Sequence, residues 1–206
     1  MSRTKPPEER RADLLVAATS LFTTQGIAAT TLEAITRQAG VSKGLFYQYF
    51  RSKDDLVWAL REQYASQFAE RLSEAAAGQV AWASKLDACV QAAFACFGEL
   101  RELHEVLFSH RPGQALPDPG GEGDHGPDDH GLEGMPHAGL VEVLRQVLDG
   151  GVAAGAFHVD DTEATAMLLC VVTHAFDRDF VGAGAPSDDR LLRSTQALFR
   201  RAAGLR

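Results

Sequence analysis

Apolar residues along the 206-residue chain recur at the helical spacing of three and four, and no sustained apolar/polar alternation marks a strand. The pattern therefore predicts an all-α fold. Leu14, Ala18, Leu21 and Phe22 make one stripe over a helix from about Pro7 to Gln25, which Gly26 is placed to end. Thr30 and Glu33 form a T-x-x-E capping box opening a short second helix that stops near Ala39. Gly40 supplies a turn, Ser42 caps a third helix to about Phe50, and Ser52 with Asp55 caps a fourth running unbroken through Leu60, Tyr64, Phe68 and Leu72 to about Ala77. Leu86, Val90, Ala93, Phe97 and Leu100 mark a further helix, and Leu103 to Phe108 a shorter one.

From Arg111 to about His137 the periodicity stops, and Gly, Pro, Asp and His dominate. Such a segment buries too little apolar surface to order itself, so a long mobile loop is expected. Helical signal resumes at Leu140, Leu144, Val147 and Leu148, followed by the pair Gly150 and Gly151 and a turn near Gly155. Asp160 and Glu163 read as a second capping box, opening a helix from about Asp161 to Val181 with Ala166, Leu169, Val172 and Phe176. A last helix follows Pro186, with Leu191, Leu192, Leu198 and Phe199 on its apolar side.

Composition adds little until charge is resolved along the chain. A hydrophobic fraction of 45% and a charged fraction of 23% are ordinary for a globular protein. The net charge of -8 is unevenly spread: residues 1–62 carry nine Lys/Arg against seven Asp/Glu, whereas residues 63–206 carry eleven against twenty-one. A mildly basic head on a strongly acidic body suits a chain that meets a polyanion at one end only. The chain shows neither an apolar leader nor a span long enough for a membrane, and a cytoplasmic location is expected. Cys89, Cys96 and Cys170 lie in apolar helical patterns without C-x-x-C spacing and read as reduced core residues. There is no H-E-x-x-H, G-x-S-x-G or nucleotide-binding glycine loop, so no enzymatic activity is expected.

Two short helices joined by a glycine turn, the second opening on Ser-Lys-Gly, have helix-turn-helix spacing. The run Thr30-Thr31-Leu32-Glu33-Ala34-Ile35, then Ala39-Gly40-Val41-Ser42-Lys43-Gly44, then Phe46-Tyr47-Gln48-Tyr49-Phe50, then Lys53 and Leu56, closely resembles the N-terminal signature of the TetR family over roughly residues 10–60. Gly151 to Phe157 before the acidic cap at Asp160 is similar to that family's variable ligand and dimerisation domain. The resemblance implies a DNA-binding domain over residues 1–52 and a helical ligand-binding and dimerisation domain over 53–206. It implies a ligand-responsive repressor that binds a palindromic operator as a homodimer through the last two helices, without cofactor or membrane.

Carried onto this chain, the motif places Ile35, Val41, Phe46 and Phe50 in a small core. Thr31, Ser42, Tyr47, Tyr49 and Lys53 are placed to hold phosphates through hydroxyls, helix N-termini and charge. Lys43, Gly44, Leu45 and Gln48 face the groove. There Lys43 can donate to guanine, Gly44 lets the backbone approach, Leu45 can touch a thymine methyl, and Gln48 can pair with adenine or bond a phosphate. Plain capping and a solvated helix face are the competing readings of these positions. Thr36 departs from the family, which commonly has Ala there; its hydroxyl can bond back to the Leu32 carbonyl.

Phe68, Phe94, Phe97, Phe108, Val143 and Met167, punctuated by His104, His110 and His174, are candidates to line a pocket for a small apolar or aromatic effector, with ordinary core packing the alternative. Asp124, His125, Asp128, Asp129, His130 and His137 carry metal-competent groups, which leaves a metal-responsive regulator and, from another class, a metal-dependent hydrolase as alternatives. An architectural DNA binder with a solid body is the remaining reading.

Overall fold

The structure, a computed structural model, describes residues 6–108, 138–173 and 187–205. All regular structure among them is α-helical. Helix α1 (Pro7–Gln25) begins with a proline that gives up no hydrogen bond there and with Glu8 and Glu9 beside the positive helix end. Leu14, Ala18 and Phe22 are fully buried along one side, and Gly26 ends the helix at φ 81.

Helix α2 (Leu32–Ala39) is capped one residue later than its sequence suggests. Thr31, not Thr30, accepts from the Ala34 N–H at 3.2 Å. Thr30 is buried, and its hydroxyl donates to the Gly26 carbonyl at 2.8 Å, securing the α1–α2 turn. Helix α3 (Lys43–Tyr49) has the expected Ser42 cap, which accepts from the Leu45 N–H at 3.2 Å. Helix α4 (Lys53–Ala77) starts from a reciprocal box, Ser52 Oγ accepting from Asp55 N–H at 3.1 Å and Asp55 Oδ2 from Arg51 N–H at 2.8 Å.

Helices α5 (Trp82–Glu99), α6 (Arg101–Phe108), α7 (Ala138–Ala153), α8 (Thr162–Thr173) and α9 (Asp188–Ala202) complete the described elements. One correction concerns a cap: Asp161 rather than Asp160 caps α8, accepting from the Ala164 N–H at 2.9 Å. Gly150 and Gly151 lie inside α7, and the chain turns at Gly155, φ 70, where the sequence suggested. They are close-approach positions: a Cβ on Gly151 would stand 2.0 Å from the Phe157 ring. Leu198, expected inside, is 44% exposed, whereas Phe199 beside it is fully buried. The loop expected at about 111–137 and the C-terminal part of the helix expected to reach Val181 lie outside the described residues.

The chain divides into two compact units, one of Met1–Gln63 and Glu102–Asp129, the other of Tyr64–Arg101 and His130–Arg206. The first turns of α4 and almost all of α6 thus fall in the same unit as α1 to α3. In that unit α1 packs on α2 and α2 on α3. In the other, α7 packs on α8, and α5 on α7, α8 and α9.

Candidate nucleic-acid interface

The α2–α3 pair owes its geometry to the short link between the helices. Gly40 adopts φ 67, a left-handed conformation that a side chain disfavours, and the Val41 N–H returns to the Thr36 carbonyl at 2.9 Å. Thr36 is buried, and its hydroxyl donates to the Leu32 carbonyl at 3.0 Å, so it is accommodated as its chemistry suggested. Ile35, Phe46 and Phe50 are buried anchors, with the two phenyl rings 5.6 Å apart; Val41 is only half-buried.

With one side of α3 thus anchored, Lys43, Gly44, Tyr47 and Gln48 form an exposed face, and Tyr47 stands edge-on to Phe46 at 5.5 Å. Leu45 and Tyr49 are half-buried at its margins. Thr31 and Ser42 have their oxygens engaged as caps, leaving N-terminal amides of α2 and α3 at the surface ends of those helices. The face offers an ammonium, a carboxamide and a phenol at positions open to a large polar partner.

Lys43 is not a bare cation. Its ammonium lies 2.9 Å from Glu33 Oε1 on α2, with both side chains about half-exposed. The hydrogen bond from Lys43 holds the Glu33 carboxyl below its ordinary range. From sequence, Glu33 reads only as the acid of a capping box. Its pairing required knowing that the Gly40 turn folds position 33 back against position 43.

Lys53 corrects a specific expectation. It is 3% exposed, and its ammonium donates to the carbonyls of Ile27 at 3.2 Å and Thr30 at 3.1 Å. In this position it clasps the α1–α2 turn to the start of α4 and is not an exposed phosphate ligand. A second buried cation was not foreseen at all. Arg61 Nε donates to the Leu107 carbonyl at 2.8 Å, near the C-terminus of α6, and the guanidinium stands 5.7 Å over the Phe108 ring. Burial lowers the Arg61 pKa, opposed by the charge of Asp54.

The residues expected around an effector are drawn from both units. Phe68 and Phe97 are buried ring to ring at 5.2 Å in the second unit, where Phe94 and Val143 are half-buried. His104 and Phe108 belong to the first unit, their rings 4.9 Å apart and tilted by 33°, with Arg61 over Phe108. Met167 is 55% exposed, on the outside of α8 with Leu168 and Val171, and so does not line the interior of this chain. His174, His110 and the acidic and histidine residues at 124–137 lie outside the described residues.

Residues 14–60, which build this surface, match the model of the family described as bacterial regulatory proteins, tetR family. Over these residues the chain carries the N-terminal domain of the TetR family. It is 53% identical over 51 residues to the HTH-type transcriptional regulator HbdR of Aromatoleum sp. (strain CIB), a match covering 25% of this chain and 22% of that protein. It is 34% identical over 105 residues to the HTH-type transcriptional activator FasR of Mycolicibacterium smegmatis, covering 51% of this chain and 48% of FasR. The matched segments thus span less than half of these relatives' lengths. Over nearly its whole extent the chain shares the fold of the Bacillus subtilis regulator FadR solved in complex with stearoyl-CoA, with a TM-score of 0.69 at 19% identity, covering 93% of this chain and 98% of FadR. No helix among the described residues is long and apolar enough to cross a membrane.

Proposed function

We propose that the protein is a DNA-binding transcriptional regulator that docks two copies of α3 into successive major grooves of a palindromic operator and acts as a ligand-released repressor. The observation that carries the reading is the one-sided recognition helix. Phe46 and Phe50 are buried behind it, and Lys43, Gly44, Tyr47 and Gln48 stand exposed in front, within the net-positive residues 1–62. Thr31, Ser42 and Tyr49 serve as phosphate contacts at the helix ends, and Leu45 lies against the edge of the groove.

A helix of seven residues binds weakly alone, so pairing of two heads is part of the reading. The outward apolar side chains of α8 (Met167, Leu168, Val171) and α9 (Leu198) support a homodimer through these helices. The effector is a small apolar molecule taken up in the second unit near Phe68, Phe94, Phe97 and Val143. FadR in complex with stearoyl-CoA offers a precedent on the same fold. Release follows if the effector favours a dimer whose recognition helices no longer match half-sites about 34–36 Å apart.

Sizing by light scattering and gel shift against random genomic fragments at graded salt test the reading. A dimer whose affinity falls steeply with salt is expected. A monomer at micromolar concentration that shifts no fragment at low salt would overturn it.

A further inference from the structure

The Glu33–Lys43 pair has a consequence for which base pair the recognition helix selects. Resting on the DNA-binding reading above, we propose that Glu33 and Lys43 act as one unit that reads a single G·C base pair in each half-site, with Glu33 a specificity-determining residue.

The charged atoms of the pair are 2.9 Å apart at the exposed start of α3. In a G·C pair, guanine O6 accepts from cytosine N4 in their own Watson–Crick hydrogen bond, so these two atoms are also about 2.9 Å apart. Both present remaining hydrogen-bonding capacity to the major groove. Lys43 can donate to O6 and the adjacent N7 while Glu33 accepts the outward N4 proton.

A T·A pair offers O4 and N6 in the same order, but adenine N7 then lies beside N6, an acceptor facing the Glu33 carboxylate. The reversed pairs set donor against ammonium and acceptor against carboxylate. A phosphate is a poor alternative partner for this spot, because the Glu33 charge repels it and already neutralises Lys43. Glu33 thereby converts Lys43 from a sequence-blind counterion into half of a donor–acceptor code. It also offsets the unfavourable placement of a cation at the N-terminus of α3.

The experiment is selection of binding sites from a pool of random duplexes, followed by affinity against salt, for wild type, E33A, E33Q, K43A and the double variant E33A/K43A. Wild type should return one G·C position in each half-site that E33A and K43A both lose, by about tenfold in preference. E33A should bind random duplex more tightly and steepen the log–log salt slope by about 0.9, as Lys43 becomes free to neutralise a phosphate. E33Q, which keeps an acceptor without charge, should retain part of the preference, and the double variant should lose no more than either single. A wild-type motif returned unchanged by E33A, or an unchanged salt slope, would overturn the inference while leaving the DNA-binding reading intact. No motif from wild type at low salt would overturn both.

Discussion

The two units solve the same problem of fixing helices with different chemistry. In the N-terminal unit, Thr30, Thr36, Lys53, Arg61 and His104 are buried, and the first four of these bond backbone carbonyls at or near helix ends. In the other unit the buried side chains with polar atoms among the described residues are Tyr64, Thr173 and Thr195, and the rest of the interior is mainly Leu, Val, Phe, Ala and Cys. A small helical head has little apolar surface to bury, and apolar contact alone leaves helices free to slide. A cation placed between two carbonyls is directional. The head therefore carries polar clasps where the geometry of α2 and α3 has to be held, and the body relies on shape.

The largest expected effect tests the clasp. Lys53→Ala leaves the Ile27 and Thr30 carbonyls without their ammonium, at a cost of about 3 kcal/mol. Melting followed by hydrogen exchange should show the loss concentrated in the α1–α2 turn, and DNA affinity should fall for all sequences alike. Lys53→Met should give no rescue, since filling the space does not satisfy the carbonyls; full recovery of stability by Met would break the contrast.

Shape complementarity in the body should respond in the opposite manner. Gly151→Ala puts a methyl into the Phe157 ring and should destabilise by about 2 kcal/mol. Trimming the ring with Phe157→Leu in the same chain should return part of it. Urea denaturation of the single and double variants measures this, and strictly additive losses would show that the two sites do not share one packing constraint.

The smallest effect concerns ionisation. In the head a buried cation is held by carbonyl oxygens, but in the body burial pushes the Cys89 thiol up to about 12 and the Cys170 thiol to about 11. Both should stay protonated and resist alkylation at pH 8 in the folded protein. An unfolded thiol ionises near 9 while the buried one does not, so stability is unaffected by these groups at neutral pH and declines above about pH 9. Cys89→Ala should flatten that alkaline decline in a pH series of melts.

Helix existence, order and most boundaries were legible because they depend on local signals. Apolar spacing, Ser42 and Ser52 as caps, and Gly26 and Gly40 as stops act within a few residues of themselves. The exposed face of α3 was expected from the resemblance to the TetR signature, which also placed Phe46 and Phe50 in the small core. Local signals failed by one residue where two candidates stood side by side, as with Thr30 and Thr31 or Asp160 and Asp161, since the choice depends on which neighbour is drawn into a turn.

What the tertiary structure alone decided is the fate of long side chains and of glycines. Lys53 looks identical in sequence whether its ammonium faces a phosphate or, as here, carbonyls twenty-three and twenty-six residues earlier. Arg61 finds its acceptor forty-six residues on, and Glu33 finds Lys43 across a turn. Gly151 takes its role from the Phe157 ring set against it, and Met167, a candidate for a pocket lining in the sequence, proves to stand exposed on α8. Periodicity specifies which face of a helix is apolar, but a flexible cation or a missing Cβ takes its meaning from whichever backbone or ring the fold brings within a few Ångströms of it.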